Sequence, residues 1–330
     1  NPTTRFEVIR KKWISIIKHI LADKKMFEVC SYPTLLEDFI DNNKSLEAIL
    51  ESIGKYLDKK REAIPRFYLL SDEEVLTLIS TSDFTVFTQN LTKVMMHIQR
   101  LDSHTSEQAD STPPDSVSEG CNFVGLKIFG VVGEDGDSLP FVNAIHCPGS
   151  IDIWVPSVFE MMEISMKDAL TISLSRFASS PMTEWIMTVS SYISMLTLQI
   201  AFARDVEDCF NNLETNPKAF THFEQKMKKQ IQELVKLMTT PLNQMEKSKI
   251  SAVLNLLLSF YEKTRIFQEK NPLFSQIEAW YTSVKFKYDA PTAEVIISFA
   301  DKEWIRGKEY WGFVPRLIYT PAIEQAMANL

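Results

Sequence analysis

A helical period governs most of this 330-residue chain, and the places where it lapses decide what the chain can become. Phe6, Ile9, Trp13, Ile16, Ile17 and Ile20 recur at three- and four-residue steps, the stripe of an amphipathic helix over 4–22. After Pro33 a second stripe follows, from Leu35, Leu36, Phe39 and Ile40 through Leu46, Ile49, Leu50, Ile53 and Leu57. Two antiparallel helices with a short joint are the economical arrangement. Pro65 breaks the pattern, and Ser71 with Glu74 three residues on forms a capping box. A short helix is therefore predicted from Asp72 through Val75, Leu78 and Ile79, with another over 84–101. From Ile151 the period returns and lasts to about residue 281. Pro148, Pro156, Pro181, Pro217, Pro241 and Pro272 are expected to cut it into roughly four helices.

Between these blocks the pattern changes. Residues 102–120 are polar, contain Pro113-Pro114 and lack any period, which predicts a mobile surface loop. Leu126, Ile128, Val131 and Val132, then Leu139, Phe141, Val142 and Ile145, flank Gly133-Glu134-Asp135-Gly136-Asp137 and predict a β-hairpin. A hairpin alone is marginal in water, so this one must lean on helices or on a partner. Its turn carries three carboxylates, Glu134, Asp135 and Asp137, expected to be exposed at a free tip. Val284, Phe286 and Tyr288 with Val295, Ile296, Ile297 and Phe299 predict a small sheet opening a new unit near residue 283. The fold class is mainly α: elongated serial helical bundles with one inserted β-hairpin and a short β-containing segment at the C-terminal end. The expected organisation is a helical subdomain at 1–101, the loop at 102–120, the hairpin insert at 121–150, a second helical subdomain at 151–282 and a new unit from 283–330.

Few chemistries survive inspection. Nine glycines argue against a glycine-turn-rich β fold, and a formal charge of −8 argues against a nucleic-acid binder held by phosphate charge. Cys30, Cys121, Cys147 and Cys209 form no CxxC pair and read as buried thiols of a reducing compartment. No stretch reaches about 18 uncharged apolar residues, so no membrane span is expected. The start at Asn1, with no apolar run after Arg5, Arg10, Lys11 and Lys12, suggests no signal peptide and a piece of a longer chain. GxxxxGK[ST], HExxH and GxSxG are all missing from the sequence. The hairpin turn lacks the ligand ladder and closing Glu of a calcium loop, and His146-Cys147 with Cys121 lacks a fourth zinc ligand. No metal site or catalytic residue is assigned. Lys226, Lys228, Lys229, Lys236, Lys247 and Lys249 make a basic stretch, read as a solvated face or as a surface for an acidic protein partner.

Longer stretches carry more. Residues 60–76, containing Ile64-Pro65-Arg66-Phe67-Tyr68-Leu69-Leu70-Ser71-Asp72, resemble the "FPRFYFLSDDELLEIL" stretch in the linker of dynein heavy chains. The hairpin from Gly125 to Val142, followed by Ile153-Trp154-Val155-Pro156, is similar to the region that follows there. Trp280 to Tyr288 resembles "WLSQLRYYW", and Glu309 to Pro321 resembles "YEYLGNSPRLVITPLTDR". The order and spacing match from residue 60 onward. Ser283-Val284-Lys285 and Ala322-Ile323-Glu324-Gln325 depart from the family pattern, marking a divergent member. Ser71, where cytoplasmic heavy chains tend to carry Gly, leans toward the axonemal branch.

The resemblance implies the linker leading into the first AAA+ module: a helical lever over a ring of ATPase modules, converting ATP-driven changes into microtubule-based movement. It implies ATP and Mg in the parent chain and none in this piece. The implied partners are the AAA+ ring of the same chain, microtubules through the parent chain, and dynein intermediate and light chains, with no nucleic acid and no membrane. The implied setting is the cytoplasm and cytoskeleton, in a cilium or flagellum axoneme. Leu317, Ile318 and Pro321 match the family's loop beside the adenine, and Glu134, Asp135 and Asp137 would dock to the ring. Two further readings use the same residues: a helical protein-binding scaffold, and a dynein-like chain without motor activity. Because every phosphate-binding motif is missing from the 330 residues, the isolated chain is expected to release no phosphate from ATP above a boiled control; turnover above that control would overturn the assignment.

Overall fold

The computed structural model of the chain describes residues 2–22, 27, 30–31, 33–80, 84–105, 125–134, 136–147, 151–213, 215–269, 273–307 and 309–312. The chain divides into two compact units, Asn1–Thr81 and Ser82–Leu330.

The first unit holds helices α1 (Pro2–Ala22) and α2 (Leu35–Ala63), a 3-10 turn (Pro65–Leu69) and α3 (Asp72–Ser80). Of the α1 stripe, Ile9 and Ile16 are buried, and Trp13 meets Phe39 of α2 at 6.1 Å between ring centroids. Pro65 ends α2 as expected, and Phe67, fully buried, plugs the 3-10 turn into a core with Leu57, Val75 and Leu78. Arg61 holds this irregular turn. Its guanidinium donates to the carbonyls of Phe67 (3.5 Å) and Leu70 (3.3 Å) and to Asp72 Oδ1 (2.6 Å). The capping box is present in full: Ser71 N donates to Glu74 Oε2 (2.9 Å), and Glu74 N donates to Ser71 Oγ (3.3 Å).

The second unit opens with α4 (Phe84–Val94), β1 (Ile98–Thr105), β2 (Leu126–Gly133), β3 (Ser138–His146) and α5 (Ile151–Ser179). Here the expectation from sequence needs correction. The helix expected over 84–101 stops at Val94, and residues 98–105 form a strand. His97 adopts a left-handed φ of 64°, which turns the chain out of the helix. Residues 102–105 of the expected loop belong to β1; residues 106–120 lie outside the described residues. β1 pairs antiparallel with β2, and β2 with β3, so the hairpin is two strands of a three-stranded sheet. The sheet leans on α5 as the hairpin argument required: Val142 N donates to Ser165 Oγ (3.0 Å). Buried Phe84, Phe87 and Trp154 pack α4 on α5, Phe87 edge-on to Trp154 at 4.9 Å.

α6 (Met182–Thr188), α7 (Ser191–Asn211), α8 (Ala219–Met238), α9 (Gln244–Glu269) and α10 (Leu273–Tyr281) follow, so 151–281 holds more than four helices. Pro181, Pro217 and Pro241 fall at breaks; Pro156 does not, lying inside α5 near its start. One lost hydrogen bond there is outweighed by burial of Trp154, Val155 and Val158 around it. The unforeseen break at Val189 comes without proline; Ser190 Oγ caps α7 by accepting from Ile193 N (3.4 Å). A single apolar cluster joins α6 through α10, with Phe202 stacked on Phe260 (4.0 Å) and Trp280 edge-on to Phe267 (5.9 Å). The expected terminal sheet is present as β4 (Lys285–Asp289), β5 (Glu294–Phe299) and β6 (Lys302–Ile305), all antiparallel. Among the described residues no helix is long and apolar enough to cross a membrane.

Gly130 sits at the register shift between β2 and β3, where an added Cβ would lie 2.6 Å from Leu139 O and 3.1 Å from Pro140 Cα. Both obstacles are backbone, so the sheet itself would have to open. Gly130→Ala is expected to cost about 2 kcal/mol and lower the melting temperature by roughly 4–8 °C by calorimetry; an unchanged melting temperature would show that the strands do not approach so closely.

Candidate functional site

The turn between β2 and β3 is built by its own backbone. Gly133 N donates to Asp137 O (2.7 Å), Gly136 N donates to Gly133 O (2.9 Å), and Gly136 takes a φ of 79°. A Cβ on Gly136 would also press within 3.1 Å of Met245 Cε, so α9 closes over this turn. Glu134 N donates to His97 O (3.2 Å), tying the turn to the left-handed corner before β1.

Asp137 is the centre of the arrangement, and its carboxylate is no part of a free tip. Oδ2 accepts from Ser191 N (2.8 Å) and Tyr192 N (3.5 Å), at the start of α7. The same oxygen accepts from Tyr310 OH (2.7 Å), across 173 positions of sequence. A negative group at a helix N-terminus meets unsatisfied N–H donors and the positive end of the helix dipole. Tyr192 OH donates to Glu309 O (3.0 Å), and its ring lies edge-on to the fully buried Tyr310 at 5.1 Å. The Arg306 guanidinium sits 4.9 Å over the Tyr192 ring, and burial pushes its pKa down to about 10 against the pull of Glu309. The Trp311 ring lies tilted by 30° against His97, with centroids 5.8 Å apart. Lys249 of α9 donates to Val189 O; burial lowers its pKa, opposed by Asp137 and Glu246. Arg306 and residues 309–311 are thus clasped onto the turn, the first turn of α7 and the α4–β1 corner.

The residues singled out from the sequence separate accordingly. Glu134 is exposed, Asp137 is engaged, and Asp135, Leu317, Ile318 and Pro321 lie outside the described residues. Lys249 leaves the basic face, and Lys226 pairs with Asp205 (2.9 Å). Of the cysteines, Cys30 is exposed rather than buried. Burial pushes the Cys147 thiol up to about 12 and Cys209 to about 11, so both stay protonated at neutral pH. Among the described residues no three His, Cys, Asp or Glu side chains converge where a metal ion could sit. Tyr192, Arg306 and Tyr310 carry no local signal that marks them out; Tyr310 stands in the C-terminal stretch that bears the family resemblance.

The clasp separates two acidic substitutions that look alike in sequence. Asp137→Ala strands three donors and is expected to cost about 2–3 kcal/mol, whereas Glu134→Ala should stay within about 0.5 kcal/mol. Urea titrations of both variants check this; equal midpoints would mean that the Asp137 carboxylate does not hold the clasp.

Comparison with known proteins identifies the family. The family described as "Dynein heavy chain, N-terminal region 2" matches residues 1–173. Mouse (Mus musculus) dynein axonemal heavy chain 1 is 24% identical over 327 residues, 99% of this chain and 7% of the relative. Human dynein axonemal heavy chain 10 is 23% identical over 328 residues, again 99% and 7%. The Chlamydomonas reinhardtii "Dynein-1-beta heavy chain, flagellar inner arm I1 complex" is 23% identical over 326 residues, 98% of this chain and 7% of the relative. The chain spans about 7% of the length of these relatives. By the match over more than half its length, this chain belongs to the dynein heavy chain family and represents its N-terminal region 2, the linker region.

Proposed function

We propose that this linker segment is the mechanical lever of a dynein heavy chain, passing ATP-driven changes of an AAA+ ring into movement along microtubules. The observation that carries the reading is the Asp137–Tyr310 clasp. A lever is useful only if its output end moves with its body. Here residues 309–311 are held to the body by a charged hydrogen bond, a tyrosine pair and a buried guanidinium. Close-packed aromatic helices behind the clasp resist compression, so displacement at one end is not absorbed in between. ATP and Mg would be bound by the parent chain outside this segment, with Leu317, Ile318 and Pro321 beside the adenine. Docking to the ring falls to Glu134 and Asp135, since Asp137 is spent on the clasp. The names of the relatives support an axonemal or flagellar setting within a multi-subunit complex.

The test uses the intact heavy chain. Tyr310→Phe removes the hydroxyl that reaches Asp137 while keeping the ring. Microtubule gliding is expected to fall several-fold while basal ATP turnover changes less than twofold, the mark of lost coupling rather than lost chemistry. Unchanged gliding, or a parallel fall in both, would overturn the lever role of the clasp.

A further inference from the structure

The terminal sheet is thinly attached to the helices. Val295 is the one apolar side chain of β4–β6 that is buried, and every residue of β6 is exposed, Trp304 and Ile305 included. The other buried side chain is Ser298, whose hydroxyl finds no partner among the described residues. A hydroxyl buried without a partner costs free energy, so this position weakens the seat of the sheet. Two solvent-open gaps lie between sheet and helices. One, of about 130 Å³, is lined by Val284, Phe286 and Phe299 of the sheet side and by Phe202 and Ala203 of α7. The other, of about 40 Å³, is lined by Val295 and Ile305 and by Met166, Leu170, Ile193 and Leu196 of α5 and α7. The direct tethers are polar. Lys167 of α5 pairs with Glu294 (3.6 Å), and Thr171 Oγ1 shares a hydrogen bond with Tyr288 OH (2.8 Å). Both are accessible to solvent, where such contacts contribute little. At one end the sheet continues from α10 through Ser283 and Val284, and Ala300 N donates to Tyr281 O (3.2 Å). At the other end stands the clasp, with Arg306 over Tyr192 and the buried Tyr310 on Asp137.

We infer that β4–β6 form a latched flap: the sheet leaves α5 and α7 and unfolds as one unit while the helical bundle stays folded, and the Asp137–Tyr310 clasp is the latch that keeps it closed. Elements with few buried apolar contacts open at a fraction of the global free energy. A small antiparallel sheet needs a helix to pack on, so a sheet that leaves its seat does not persist. The closed flap still covers Ile193, Leu196 and Phe202 of α7, which keeps the open state a minor one. The latch differs from the surface tethers because its hydrogen bond is charge-assisted and its tyrosine ring is fully buried. None of this depends on the lever reading, since the flap is a property of the 330-residue chain alone.

Amide hydrogen exchange of the 330-residue chain, read by mass spectrometry, tests the flap. Amides of β4–β6 are expected to exchange about 100-fold faster than those of α8 and α9, and with one shared dependence on urea, the mark of a single opening unit. Tyr310→Phe removes the latch hydroxyl and is expected to speed β4–β6 about tenfold further while α8 and α9 stay within about twofold. Thr171→Val removes a surface tether and should leave sheet and bundle within about twofold. The proposal is overturned if β4–β6 are as protected as α8 and α9, or if Tyr310→Phe leaves their exchange unchanged. It is equally overturned if Tyr310→Phe accelerates sheet and bundle alike, or if Thr171→Val loosens the sheet as much as Tyr310→Phe does.

Discussion

A carboxylate half-shielded from water must find donors, and the second unit is arranged around that requirement at Asp137. Ser191 N, Tyr192 N and Tyr310 OH supply them from two parts of the chain that are far apart in sequence. The donors can reach the same oxygen only if the β2–β3 turn, the first turn of α7 and the segment after β6 arrive together. The turn's tight backbone, closed by Gly133 and Gly136 under Met245, presents the carboxylate at the right height. Charge-assisted hydrogen bonds of this kind are stronger than neutral ones and fix direction as well as distance. One side chain thus sets the register of three elements.

The helical part of the architecture was legible because it rests on local rules. The α1 and α2 stripes, the stop at Pro65 and the Ser71–Glu74 box all act within a few residues of themselves. Strand β1 was not legible, because residues 98–101 read as the end of a helix and Asp102, Ser103 and His104 as the start of a polar loop. Its strand character comes from pairing with β2, a tertiary effect that overrides propensity. The same holds for the site. A run of acids at a glycine-bearing turn reads as a solvated tip, and only donors distant in sequence, Ser191 N, Tyr192 N and Tyr310 OH, make Asp137 different from Glu134. Pro156 erred the other way, since a proline near the start of a helix costs little when its neighbours are buried.

Several of the stretches that the sequence alone singled out lie at joints of the fold. Residues 60–76 make the 3-10 turn, Gly125 to Val142 makes the clasped hairpin, and Trp280 to Tyr288 turns from bundle to sheet. Long helices such as α8 and α9 exchange one apolar residue for another with small losses if volume is kept. Joints have no such freedom, because their backbone is shaped by named donors and acceptors.

Arg61 shows what this means for how such a chain drifts. A single guanidinium reaches the Phe67 carbonyl inside an irregular five-residue turn and the Leu70 carbonyl and Asp72 carboxylate just after it. Lysine matches its charge but not its planar fork of donors. Such a position behaves like a spelling that must be copied whole, whereas the helix faces behave like a theme open to paraphrase.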